Sequence, residues 1–279
     1  MSPTPLKMGI STCPNDTFTF HALLTGEVSD PELDLQFELL DVEELNRGLA
    51  EGRYDVAKGS FHAALQLSED LLTLPVGAAL GFGVGPVILG RPGVRPAPTA
   101  RVLCPGRFTT ATLLWELFHA GEGALEQRPF HEIVPALKSG DADLGVCIHE
   151  ARFTYKEHDL ELVEDLGATW EQLTDSPLPL GGLFARRELP LELTQRVCEL
   201  IQESLAWARA NPDAALLSMR AHAQEFDDEV LREHVTLYVN EFTTELGEVG
   251  ALALRVLGER AVEAGLLGTA SAPLEIFHA

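Results

Sequence analysis

The chain is 279 residues long, 46% hydrophobic and 23% charged, with a formal net charge of −23 at pH 7. That length holds one large domain or two ordinary ones with a full core, and so acidic a chain is repelled by nucleic acid and by anionic membrane surfaces. No run of about 18 apolar residues offers a membrane span, and Met1–Gly9 lacks the basic and apolar segments of a secretory signal, so the expected compartment is the cytoplasm.

In chain order, Lys7–Ile10 reads as a short first strand and Thr17–Leu24 as a helix, stopped by Gly26 as a left-handed cap. Between them, Ser11-Thr12-Cys13-Pro14-Asn15-Asp16-Thr17-Phe18 is unusually polar, with Asn15 or Asp16 placed to cap the helix. Ligands of α/β proteins sit beyond strand carboxyl ends and against helix N-termini, so this loop is a candidate pocket wall; a plain capped turn would look the same. Next come a strand at Leu33–Leu40, a helix at Val42–Ala50, a short strand at Asp55–Lys58 and a helix at Phe61–Leu67. Only four of the twenty basic residues are lysines, and Lys58 stands at a strand end where it could meet an anion. The Gly59 and Ser60 amides open the following helix beside it. A solvated lysine next to a turn is the competing reading.

Leu71–Val76 leads to a glycine-rich stretch over 77–85 and a strand at Pro86–Leu89. Gly81-Phe82-Gly83-Val84-Gly85 precedes a strand rather than a helix, which suits a hinge and not a dinucleotide cradle. Strands alternating with helices of this size imply parallel βα units in a three-layer arrangement. The proline-dense Arg91–Pro98 looks like a connection between domains.

A second α/β pattern follows, with strands at Arg101–Leu103, Ala142–Ile148 and Leu160–Glu164 and helices at Thr110–His119, around Ile133–Lys138 and from Glu150. Thr109 as N-cap with Thr110 at the first helical position brings hydroxyls and free amides to one spot, which suits a carboxylate or phosphate and equally suits simple capping. The strand ending Val146-Cys147-Ile148 delivers His149 to the mouth of a short helix. A helix N-terminus favours the neutral imidazole there, able to accept a proton, although a lone histidine is more often structural. Arg152 shares a helical face with His149 and could hold a carboxylate or Glu150. The other histidines, at 21, 62, 119, 131, 158, 222, 234 and 278, read as packing or surface residues, and Trp115, Trp170 and Trp207 as core.

Pro177–Phe184 runs as an extended return, and helices over Leu191–Ala210, Pro212–Ala221, Asp227–Asn240 and Gly247–Ala264 complete the chain. The two crossings give an α/β fold of two three-layer lobes with a cleft between them. The larger lobe comprises residues 1–93 and 187–279, and residues 94–186 form the smaller, inserted one. The four cysteines, at 13, 104, 147 and 198, show no C-x-x-C pair, and the nine histidines show no H-x-x-x-H or H-E-x-x-H spacing. No metal site is expected, and Cys147 and Cys198 read as small buried hydrophobes.

With these segments in view, the chain resembles the 1,4-dihydroxy-6-naphthoate synthase family, the menaquinone-biosynthetic enzymes of the futalosine pathway. The likeness is carried by Ser11–Phe18, Lys58-Gly59-Ser60, Gly83-Val84-Gly85-Pro86, Pro105–Thr110, Ile148–Tyr155 and Leu178-Pro179-Leu180-Gly181-Gly182, in the family's order. The resemblance implies a periplasmic-binding-protein type II fold. It also implies a cofactor-independent carbon–carbon lyase that converts cyclic dehypoxanthine futalosine to 1,4-dihydroxy-6-naphthoate. The family's base falls on His149 and its substrate contacts on Lys58, Gly59, Ser60, Thr109 and Thr110, with Asn15, Asp16 and Arg152 as further candidates. The implied partner is a carboxylated small molecule, with no nucleic acid and no membrane. A cytoplasmic small-anion binding protein of the same fold, without catalysis, is the alternative.

Overall fold

The computed structural model describes residues 3–149, 151–223, 227–268 and 273–278. Strand β1 (Thr4–Ser11) is followed by two short helices, α1 (Pro14–Thr19) and α2 (His21–Thr25), where one longer helix was expected. Thr17 and Thr19 direct their hydroxyls back to the carbonyls of Cys13 and Asn15, which competes with the helical ladder and breaks it at Phe20. Neither Asn15 nor Asp16 caps α1; Cys13 is the N-cap residue, with no side-chain capping bond, and Pro14 opens the first turn. Gly26 takes the left-handed cap as expected, with φ at 79°.

Strand β2 (Leu33–Leu40), helix α3 (Val42–Ala50), strand β3 (Val56–Ser60), helix α4 (Phe61–Gln66) and strands β4 (Leu71–Thr73) and β5 (Ala79–Gly81) continue this half of the molecule. An Asp41–Glu44 capping box starts α3 and directs Leu45 and Leu49 inward. The chain then crosses to strands β6 (Val87–Gly90) and β7 (Arg101–Cys104), helix α5 (Thr110–Phe118), strand β8 (Ala124–Gln127), helix α6 (Phe130–Ser139) and strand β9 (Leu144–Cys147). Helix α7 (Ala151–Thr154) and a 3-10 turn lead to strand β10 (Glu161–Asp165) and helix α8 (Leu166–Thr174). Strand β11 (Leu178–Arg186) returns, and helices α9 (Leu191–Ala210), α10 (Pro212–His222), α11 (Asp228–Tyr238), α12 (Glu241–Thr244) and α13 (Gly247–Glu263) close the fold.

Two sheets result. The first has the order β2-β1-β3-β11-β4, with β5 also on β11; the second has the order β10-β6-β9-β7-β8. Both are mixed and not purely parallel: β11 runs antiparallel to β3, and β6 runs antiparallel to β9. Because β6 belongs to the second sheet and β11 to the first, the crossings lie at 82–86 and 175–177, earlier than the expected boundaries at 93/94 and 186/187. The proline-dense 91–98 segment connects β6 to β7 within the second lobe. One apolar core spans both lobes by way of the first crossing, from Phe61 and Phe184 through Leu80, Val84 and Ile88 to Val146 and Trp170. Trp115 lies in that core as expected, but Trp207 is only half-buried, against the His21 ring. Among the described residues no helix is long and apolar enough to cross a membrane.

Candidate active site

Carboxyl ends of strands from both sheets meet at one interlobe cavity. The first lobe lines it with Ser11, Cys13, Asn15, Lys58, Gly59 and Ser60, and the second with Thr109, Thr110, Ala111, Ile148 and His149.

The polar loop after β1 forms a buried ionic floor. Asp16 accepts from the Ser11 hydroxyl at 2.7 Å and from Asn15 Nδ2 at 2.9 Å. Lys58 Nζ donates to the same carboxylate at 2.7 Å and to the Gly77 carbonyl at 2.9 Å. Both side chains are nearly withdrawn from solvent. Lys58 is therefore not the solvated surface cation it could have been, and its charge is matched within the protein. Asp16, expected to contact substrate, lies beneath the cavity wall and does not line it. Beside it, Asn46 brackets Ser60, accepting from its amide at 2.8 Å and donating to its hydroxyl at 3.2 Å. The Ser60 hydroxyl keeps its own proton to offer to a ligand.

On the opposite wall, Thr109 caps α5, accepting from the Thr112 amide at 3.2 Å while its hydroxyl donates to Gly106 at 2.7 Å. The Thr110 hydroxyl donates across the cleft to the Leu180 carbonyl at 2.6 Å. Both residues line the cavity as expected of candidate contacts, but both hydroxyl protons are engaged within the protein. The Thr110 and Ala111 amides of the first turn of α5, which have no i−4 carbonyl of their own, are donors at this wall.

His149 follows β9 with φ at 58°, a left-handed conformation that costs a side-chain-bearing residue on the order of 1–2 kcal/mol. The Cys13 sulfur lies 3.3 Å from Nδ1 and 3.5 Å from Nε2, and Phe130 meets the ring edge-on at 4.7 Å between centroids. Arg152 does not join the cavity. It donates to the carbonyls of Gly85 at 3.2 Å and Gly83 at 3.0 Å and to Asp165 at 2.7 Å, tying the His149 loop to the first crossing. Its guanidinium is directed there and not into the cavity, so it is not placed to hold a substrate carboxylate. Glu150, weighed as its partner and as a helix start, lies outside the described residues.

Among the cavity residues that escaped the sequence reading are His234 and Tyr238, one turn apart on α11. Burial holds the His234 imidazole well below its ordinary 6.5, with the neighbouring His149 acting in the same direction, and burial pushes the Tyr238 phenol up to about 12. Their i, i+4 spacing could have flagged them as a pair, but nothing in the helix told which face met the cleft. Among the described residues no cluster of His, Cys, Asp and Glu could hold a metal ion.

A family profile described as menaquinone biosynthesis matches residues 6–263. A 1,4-dihydroxy-6-naphthoate synthase of Thermus thermophilus is 44% identical over 96% of this chain and 98% of its own length. One of Streptomyces coelicolor is 41% identical over 96% of both chains. The chain belongs to the 1,4-dihydroxy-6-naphthoate synthase family. It is accordingly an enzyme of menaquinone biosynthesis. A crystal structure of a protein from Archaeoglobus fulgidus superposes with a TM-score of 0.89 at 31% identity, covering 94% of this chain and 98% of that one. The ligand-binding component of an ABC-type import system from Staphylococcus aureus superposes at 0.73 with 14% identity, covering 98% and 96%. The naphthoate synthase family thus shares the periplasmic-binding-protein-like architecture, as the two crossings led one to expect.

Proposed function

We propose that this enzyme converts cyclic dehypoxanthine futalosine to 1,4-dihydroxy-6-naphthoate in the cytoplasm, with His149 as general base and no cofactor. The reading is supported above all by one observation: His149, carried by the second lobe, shares a single cavity with Lys58, Gly59 and Ser60 of the first lobe and with the α5 amides. Lys58 and those amides would hold the carboxylate of a polycyclic substrate, and the Ser60 hydroxyl a further oxygen. His149 would remove a proton from the oriented ring system, starting ring opening and the carbon–carbon cleavage that expels the sugar-derived fragment. Aromatisation drives the step. The protein supplies the base, the orientation and the exclusion of water.

Incubation with the cyclic substrate should generate the naphthoate chromophore. His149→Ala should lower turnover by about 10²–10⁴-fold, the usual worth of a general base, without lowering the melting temperature. Turnover within tenfold of the parent enzyme would remove His149 as the base. Tight binding of a carboxylated ligand with no product formed would favour the alternative, a small-anion binder, which the fold shared with import-system binding components keeps in view.

A further inference from the structure

His234 carries a buried polar atom that the mechanism so far leaves unused. Asn15 fixes the state of its ring. Asn15 Nδ2 donates to Asp16 Oδ1 at 2.9 Å, which turns Asn15 Oδ1 toward His234 Nε2 at 3.1 Å. An amide oxygen can only accept, so Nε2 carries the proton and Nδ1 presents a lone pair. Among the described residues nothing donates to that buried Nδ1. Native interiors rarely leave a polar atom unmatched, and when they do a functional reason is the first to examine. Aromatic packing explains the ring but not the nitrogen: Tyr238 lies 4.5 Å and Phe153 6.3 Å away between centroids, contacts that a carbon ring would make as well.

We propose that His234 is a second substrate-binding residue of the cleft, whose Nδ1 accepts a hydrogen bond from a hydroxyl group of the bound substrate. The inference rests on the cavity being the site of the naphthoate-forming reaction. Chemistry narrows the ligand group. A carboxylate or ketone oxygen only accepts and cannot satisfy Nδ1, whereas a hydroxyl can. The cleft then sorts the oxygens of its substrate by kind: Lys58 and the α5 amides meet acceptors, and His234 meets a donor. The two imidazoles divide the work in the same way. His234, buried and neutral, orients the substrate, while His149, on the strained turn after β9, takes the proton.

Two substitutions separate this role from packing. Glutamine places its amide nitrogen where Nε2 stands and can keep the bond to Asn15, but offers nothing at Nδ1. Asparagine places its amide oxygen where Nδ1 stands and keeps the acceptor. Binding of cyclic dehypoxanthine futalosine is measured by titration calorimetry on the His149→Ala protein, which holds the compound without consuming it. Adding His234→Gln should weaken binding by about tenfold or more, while adding His234→Asn should leave it within about threefold. Melting temperatures of the two double variants are compared alongside. Unchanged affinity in the glutamine variant overturns the inference alone. So does an equal loss in both variants, which would mark a structural role. Failure of the unsubstituted enzyme to bind the compound overturns the functional reading and this inference with it.

Discussion

A charge withdrawn from water has to be matched where it stands, and at Lys58 the match is Asp16 at 2.7 Å. Removing one member leaves the other buried and unpaired, a loss of about 3–5 kcal/mol, whereas removing both together is often neutral. Lys58→Met should therefore lower the urea midpoint sharply, and adding Asp16→Asn should restore most of it. Under the proposed function, substrate affinity should stay low in the double variant, because the cation proposed to meet the carboxylate is still gone. Recovery of affinity along with stability would reduce Lys58 to a structural residue. At this scale the sequence disclosed some side chains and hid others, for a physical reason. Lys58 and His149 were legible because each lies in or just beyond the carboxyl end of an apolar strand, Lys58 two residues before the end of β3 and His149 two residues after the end of β9. Asp16 was misread as a cap because its carboxylate is drawn back to Ser11 and Lys58, a long-range pairing with no local signature. His234 was misread because α11 buries Leu231, His234 and Tyr238 on one face, and their spacing does not say whether that face meets the core or the cleft.

Helices and strands with strong periodicity fell close to their expected places, as α3, α9 and α13 illustrate. Strand β8 was missed because all four of its residues are exposed at a sheet edge, which removes the alternation that reveals a strand. Helix α8 was missed although Asp165 caps it by accepting from the Gly167 and Ala168 amides, a signal present in the residues themselves. The crossings were misplaced because prolines drew attention to 91–98, while the true first crossing is built on glycine. There the Gly85 φ is 131°, and a methyl group on Gly167 would lie 1.9 Å from the Val84 carbonyl oxygen. That neighbour is backbone and cannot swing aside, so Gly167→Ala must displace either the crossing or the start of α8. A loss of about 2–4 kcal/mol is expected, read as a lower urea midpoint with an unchanged slope. A loss below about half a kilocalorie would mean that the crossing yields freely.

Across the molecule, polar contacts between the lobes accompany the shared core: the Thr110 hydroxyl on Leu180, and Glu43, which accepts from the Phe108 amide at 3.1 Å. Burial raises the Glu43 carboxyl above its ordinary 4.5, against the pull of the Phe108 and Asn46 hydrogen bonds. The folded protein therefore holds that proton more tightly than the unfolded chain does. The stability this contributes is complete below 4.5 and is lost as pH rises through the folded value. The melting temperature of Glu43→Gln should thus gain on that of the parent as pH rises above 4.5, and a constant difference would show that Glu43 titrates alike in both states. The two-lobed plan was legible from the alternation of strands and helices. Its mixed sheets were not, since periodicity reports which residues face inward and not the direction of the neighbouring strand.

Strand β11 lies between β3 and β4 in the first sheet, although more than a hundred residues separate it from β3 in the sequence. During synthesis on the ribosome, that sheet waits with an open seam until residue 186 has emerged, by which time every strand of the second sheet is already outside the tunnel. The lobe that begins the polypeptide is therefore the later one to be completed, and the catalytic cleft assembles only when the returning strand zips the seam shut.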